Sequence, residues 1–169
     1  QLNFKRMTSS SLSSLDGRRI MWVASSGGHI RQAVRWAKIL GYGNEGFWVA
    51  SGTPQSRDLL NGYRAFFLNQ VKSREVFAPL QFLWQLLRKT PWGQVDTVIS
   101  TGASVAASSL AFFSLLTRKR VVFIESLTRG QRPSLSGRLV SMLPRVELYS
   151  PHKTLGPPWI WLDPVLHFL

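Results

Sequence analysis

Three short stretches of the sequence combine glycine, hydroxyl, histidine and carboxylate side chains in ways that suit a polar, charged ligand. The first is Ser25-Ser26-Gly27-Gly28-His29. Its two glycines let backbone N–H groups approach a ligand that larger residues would hold off. A helix starting at His29 would turn its positive end to the same place, where an anion or a developing oxyanion is stabilised. His29 then stands where a general base belongs. A tight turn followed by a histidine at a helix start uses the same residue types, and a lone glycine pair does not choose between the two.

The second stretch, Ser100-Thr101-Gly102-Ala103-Ser104, sets small hydroxyl residues around one glycine. Thr101, Gly102 and Ser104 offer donors to an anionic or polyhydroxyl ligand, and Thr101 or Ser104 also suits a helix N-cap. The third, Glu125-Ser126-Leu127-Thr128-Arg129, places a carboxylate at the end of an apolar run. A charge there needs a partner, so Glu125 is expected to pair with a cation or to orient His29 or a substrate hydroxyl. Arg129, Arg132 and Arg138 follow closely and suit phosphate binding, although arginines at a solvated surface are the commoner case.

For these stretches to act together, the elements between them must bring them to one edge. Arg18 to Ala24 is an apolar run of strand formers that stops at the first glycine pair. From His29 the period changes to that of a helix, with Ile30, Ala33, Val34, Ala37 and Leu40 on one face and Arg31, Gln32, Arg35 and Lys38 on the other. The alternation continues with strands at 46–50, 64–68, 95–100, 121–124 and 146–149, and helices at 53–60, 78–89, 104–116 and 134–143. Strands alternating with helices, without tight hairpin signals, predict βαβ units: an α/β fold with a Rossmann-like parallel sheet and helices on both faces. In such a sheet the ligand crevice lies at the carboxyl ends of the strands, where all three stretches fall.

Composition narrows the classes. The chain has 169 residues, 21 Lys and Arg against 8 Asp and Glu, a formal net charge of +13 and no cysteine. The length suits one domain, and the lack of cysteine excludes disulfide scaffolds, thiolate metal sites and cysteine nucleophiles. The charge calls for an anionic partner, whether nucleic acid, lipid headgroups or phosphorylated substrates. No stretch approaches the roughly 20 apolar residues of a membrane span, and an anchor preceding Gln1 is compatible with the sequence. Residues 1–17 are Ser-rich and expected to form a flexible tail, residues 18–157 the Rossmann-like domain, and residues 158–169 a separate Trp- and Pro-rich segment. Trp159 and Trp161 in that segment are expected to be covered by the domain itself or by a partner.

Residues 74–89 carry more apolar side chains than one helix face holds. A helical wheel sets Val76, Leu80, Leu83, Trp84 and Leu87 toward the sheet and leaves Phe77, Phe82 and Leu86 outside it. With Arg74, Arg88 and Lys89 at its flanks, this helix is expected to touch an anionic lipid surface, a thick core contact being the alternative.

Taken together, SSGGHIRQ, ISTGAS and VVFIESLTR, followed by the PSLSGRL helix, resemble the acceptor-side half of the split GT-B glycosyltransferases over roughly residues 18–157. That family includes the membrane-recruiting subunit of the eukaryotic enzyme that adds the second GlcNAc to the dolichol-diphosphate precursor, together with bacterial polysaccharide-synthesis proteins like it. The N-terminal half of the peptidoglycan GlcNAc transferase is similar at a greater distance. The resemblance implies the N-terminal half of a GT-B fold and an inverting transfer from a UDP-sugar to a polyprenyl-diphosphate-linked saccharide. It implies peripheral attachment at the cytoplasmic face of a membrane and a donor-binding partner subunit. Ser26, Gly27, Gly28 and His29 would face the acceptor with His29 as base, Gly102 and its neighbours would lie in the same cleft, and Glu125 to Arg129 would close it. No cofactor beyond the donor substrate and no metal is implied, carboxylates being scarce and Asp-x-Asp absent.

Two other classes compete. A basic nucleic-acid-binding α/β module would explain the charge, but the cations are spread along the chain without a recognised motif. A dinucleotide-dependent oxidoreductase would explain the fold, but the first turn lacks G-x-G-x-x-G.

Overall fold

The computed structural model describes residues 19–70, 77–102, 104–128 and 130–162, with residues 104 and 105 described by their backbone alone. The 1–17 tail, Arg74 and Arg129 therefore lie outside the described residues.

Seven strands form one sheet. They are β1 (Ile20–Ala24), β2 (Gly46–Ser51), β3 (Ala65–Leu68), β4 (Thr97–Ser100), β5 (Arg120–Ile124), β6 (Val146–Ser150) and β7 (Ile160–Trp161). The helices are α1 (Gly28–Leu40), α2 (Pro54–Leu59), α3 (Ala78–Lys89), α4 (Ser104–Leu116) and α5 (Leu135–Ser141). The order is β3-β2-β1-β4-β5-β6-β7, with all neighbours parallel. This is the expected Rossmann-like sheet. Every residue of β1 is buried, which explains why it reads as an unbroken apolar run: helices cover both of its faces.

Side chains alternate between two cores. Met21, Val23, Val49, Val98, Val121 and Phe123 point to the layer formed by α3, α4 and α5. Ile20, Trp22, Trp48, Ile99, Val122 and Ile124 point to α1 and α2. In the second core Trp22 stacks on Trp48 with centroids 5.2 Å apart, and their indole N–H groups donate to Tyr42 O and Gly43 O at 3.1 Å each.

Two features differ from the sequence expectation. In α3 the buried face consists of Ala78, Phe82, Gln85 and Leu86, while Phe77, Leu80 and Trp84 are exposed. Phe82 and Leu86, expected at a lipid surface, are fully buried in the core. The cause is polar: Gln85 turns inward because its Oε1 accepts the Asn69 backbone N–H at 2.7 Å, and Pro79 O accepts the Ser108 hydroxyl from α4 at 2.7 Å. A wheel that ranks faces by apolarity cannot anticipate a glutamine among the buried positions. The second difference is β7. Two residues of the Trp- and Pro-rich segment, Ile160 and Trp161, extend the sheet, Tyr149 pairing with Ile160 and Ser150 with Trp161. Trp159 is buried edge-on to Phe123 at 6.0 Å, and the Lys153 ammonium sits 4.1 Å from the Trp161 ring centroid.

Candidate functional site

Strand order reverses between β1 and β4: the chain moves outward from β1 to β2 and β3, then returns to β1's other side and moves outward again. The helices leaving β1 and β4 therefore diverge and open a crevice at the carboxyl ends of these two strands. Into it project the Ser25–His29 turn and the Thr101–Gly102 turn.

His29 lies in the first turn of α1 and is held from the β4 side. The Thr101 hydroxyl donates to His29 O at 2.9 Å, and His29 Nδ1 lies 3.3 Å from Thr101 O. A carbonyl oxygen only accepts, so Nδ1 is the donor in this contact, and in the neutral imidazole Nε2 is then the acceptor. The imidazole rests on Gly102. A β-carbon at that position would come within 3.1 Å of both Cε1 and Nδ1, and Gly102 has φ +114°. Only glycine meets both conditions. Gly27, the N-cap of α1, has φ 70° and supplies no capping side chain, and the first turn holds no acidic residue. The positive end of α1 is thus unopposed by any carboxylate of its own.

Thr101 is 1 % exposed and its hydroxyl is engaged with His29 O. Contrary to the expectation from sequence, it positions His29 and does not present its hydroxyl as a donor to the crevice. Ser26, Gly27 and Gly28 line the turn beside it, partly or fully exposed, and Ser104 opens α4.

Glu125 takes a different role from the one its position suggested. It is 1 % exposed. Its Oε1 accepts from Ser126 N at 2.7 Å, and its Oε2 accepts from Ser134 N at 3.0 Å and Ser134 Oγ at 3.2 Å. Ser134 in turn caps α5 by accepting Gly137 N at 3.0 Å. A β-carbon at Gly137 would lie 2.2 Å from Oε2, so the helix approaches the carboxylate at a distance only glycine permits. Among the described residues its partners are N–H and O–H donors of the β5–α5 loop, not a cation, His29 or an open crevice. Glu125 closes that loop onto α5. Arg132 is exposed on the same loop, and Arg138 is exposed on α5.

Three connections were not anticipated. Gln32, one turn beyond His29, reaches from α1 to donate to Ser126 Oγ at 3.1 Å, and Ser126 Oγ meets Thr128 Oγ1 at 2.9 Å. His152, after β6, approaches Leu127 O with Nε2 at 2.9 Å. The β5–α5 loop is thus fastened to α1 on one side and to the β6–β7 connection on the other. The spacing of Gln32 from His29 was the available signal. Among the described residues no group of three His, Asp or Glu side chains could hold a metal ion, and no helix is long and apolar enough to cross a membrane.

No family model matches the sequence, and no curated protein matches it. Among solved structures the chain is similar to MurG of Acinetobacter baumannii, with a TM-score of 0.64 and 15 % identity over 85 % of this chain and 44 % of that one. It spans less than half the length of that protein. The likeness establishes the fold: a Rossmann-like α/β sheet of the kind that forms one half of a GT-B protein such as MurG.

Proposed function

We propose that this chain is the acceptor-binding half of a glycosyltransferase acting on a lipid-linked saccharide. The observation that carries the reading is the seat of His29: one imidazole nitrogen is tied to Thr101 O, the ring lies on Gly102, and the other nitrogen is left basic at the strand-order reversal. The fold neighbour supports it, since MurG is a GT-B glycosyltransferase acting on a lipid-linked saccharide.

In the proposed reaction His29 Nε2 removes the proton of an acceptor sugar hydroxyl. That oxygen forms a bond to the anomeric carbon of a UDP-sugar while the bond from that carbon to the diphosphate oxygen breaks, with inversion and departure of UDP. Ser26, Gly27, Gly28 and the positive end of α1 hold the acceptor diphosphate, with Arg132 at the rim. The donor nucleotide is held by a second, partner subunit that completes the cleft. The chain attaches peripherally at the cytoplasmic face of a membrane through α3, where Phe77, Leu80 and Trp84 are exposed beside Arg88 and Lys89. Arg88 stands 5.0 Å over the Trp84 ring, an arrangement suited to an anionic interface.

The test is transfer of radiolabelled sugar from UDP-sugars to a polyprenyl-diphosphate-linked saccharide, by the chain alone and with the product of its neighbouring gene. Turnover is expected only with the partner, and it is expected to be lost in His29→Ala. Robust turnover by the single chain overturns the half-enzyme reading. Absence of transfer together with salt-dependent retention on nucleic acid overturns the glycosyltransferase reading altogether.

A further inference from the structure

The large apolar side chains that remain exposed among the described residues all lie on α3, α4 and α5 or at their ends, the layer covering one face of the sheet. Beyond α3 they are Leu115 and Leu116 at the end of α4, 52 % and 73 % exposed, and Leu135, Leu139 and Met142 along α5, at 72 %, 50 % and 81 %. On α5 the spacing is i, i+4, i+7, one stripe of a helix. Chance scatter would leave some on the α1–α2 side; exposed apolar side chains gathered on one layer mark an interaction surface.

Charge points to the occupant. None of α3, α4 and α5 contains an Asp or Glu, although the other helical layer holds Asp58 in α2. Cations rim the patch: Arg88 and Lys89 end α3, Arg118 follows α4, Arg138 lies on α5 and Arg145 follows it, all exposed. An apolar face with a basic border and no carboxylate complements an anionic lipid surface, into which alkyl chains enter while arginine and lysine heads reach the phosphates.

The helix ends support the same occupant. Backbone carbonyls near hydrocarbon need donors, and here they have them. The Arg145 guanidinium donates to Ser114 O and Leu115 O. The Thr117 hydroxyl at the end of α4 donates to Phe113 O at 2.6 Å. A protein partner anchors through pockets, whereas two of the surface clefts, of about 640 Å³ and about 350 Å³, are lined by none of these apolar residues.

We infer that the whole α3–α4–α5 layer, and not α3 alone, is the membrane-binding face, so that the domain lies with this layer flat on an anionic bilayer and α5 as its second anchor. The inference rests on the membrane reading above and extends it to residues that reading does not use. The test exploits the absence of cysteine from the sequence: Met142→Cys, Leu116→Cys and, on the opposite face, Arg35→Cys each carry one environment-sensitive fluorophore. On vesicles of phosphatidylglycerol with phosphatidylcholine, the labels at 142 and 116 are expected to shift to the blue and escape aqueous quencher, while that at 35 stays wet. In flotation, Leu139→Ser with Met142→Ser is expected to lose at least roughly tenfold in partitioning, as is Leu80→Ser with Trp84→Ser, since withdrawal of even one apolar side chain is worth about that much. If only the α3 variant loses flotation and labels 142 and 116 stay wet, the extended face is overturned and the α3 reading stands. If the wild type does not float, both fall. If the labels are shielded without vesicles and the mass rises with concentration, a second copy covers the face and the inference fails.

Discussion

The His29 ring faces Gly102 across the strand-order reversal so closely that a β-carbon there would lie 3.1 Å from its Cε1 and Nδ1, a few tenths of an ångström too near. Gly102→Ala should therefore act twice. The backbone at φ +114° strains any side chain, at about 1–3 kcal/mol, and the added methyl displaces the imidazole. Chemical denaturation is expected to show the loss of stability, and turnover of the assembled enzyme should fall further than that loss explains.

His29→Ala should separate chemistry from folding. The Thr101 hydroxyl bonds the backbone carbonyl of residue 29, and alanine keeps that carbonyl. The unfolding midpoint is expected to stay near wild type, while turnover with the partner drops at least about a hundredfold, the lower range of general-base catalysis. An early-melting variant with normal turnover per folded molecule would assign His29 to the fold.

Glu125→Ala should behave in the opposite way. It strands Ser126 N in a buried position and Ser134 N and Ser134 Oγ in a part-buried one, and an orphaned buried donor costs about 1–3 kcal/mol. A loss of about 1–3 kcal/mol is expected in urea titration, with Glu125→Gln milder because one acceptor oxygen survives. Full stability in the alanine variant would show that the loop finds other acceptors.

Lys119 gives a pH signature. Burial of its ammonium beside Val95 O lowers its pKa below the ordinary 10.5, against the attraction of Asp96 and with a further lowering from Arg19. Between the lowered value and 10.5 the unfolded chain binds more protons than the folded one, so this group's contribution rises with pH through that window and falls as pH drops through the lowered value. Urea unfolding of wild type and Lys119→Gln, near neutrality and near pH 10.5, should show the difference moving in favour of the wild type at the higher pH. A constant difference would mean that Lys119 titrates alike in both states.

Much of the fold was legible because the strands are short apolar runs ending in glycine or serine and the helices between them keep a clear period. That the three stretches share one edge of the sheet followed from that order; that β1 and β4 are neighbours, which sets Gly102 against His29, did not, because the alternation of strands and helices leaves the strand order open. What was not legible depended on partners distant in sequence. Gln85 faces inward for the sake of Asn69 N, so the face of α3 could not be read from its own residues. Glu125 looked reactive because its donors come from a loop that folds back only when Gly137 lets α5 approach. β7 is two residues long, too short for any alternation to register.

The pairing of Ile20 with Thr97 also sets an order of events during synthesis. β1 is central, yet the strand that closes its second edge is synthesised only after β2, β3 and α3. Until then the nascent chain has an open, apolar strand edge next to Trp22, and parallel pairings across such long connections form slowly. Protection of that edge until β4 emerges therefore bears on the yield of native protein, as the stability of the finished sheet does.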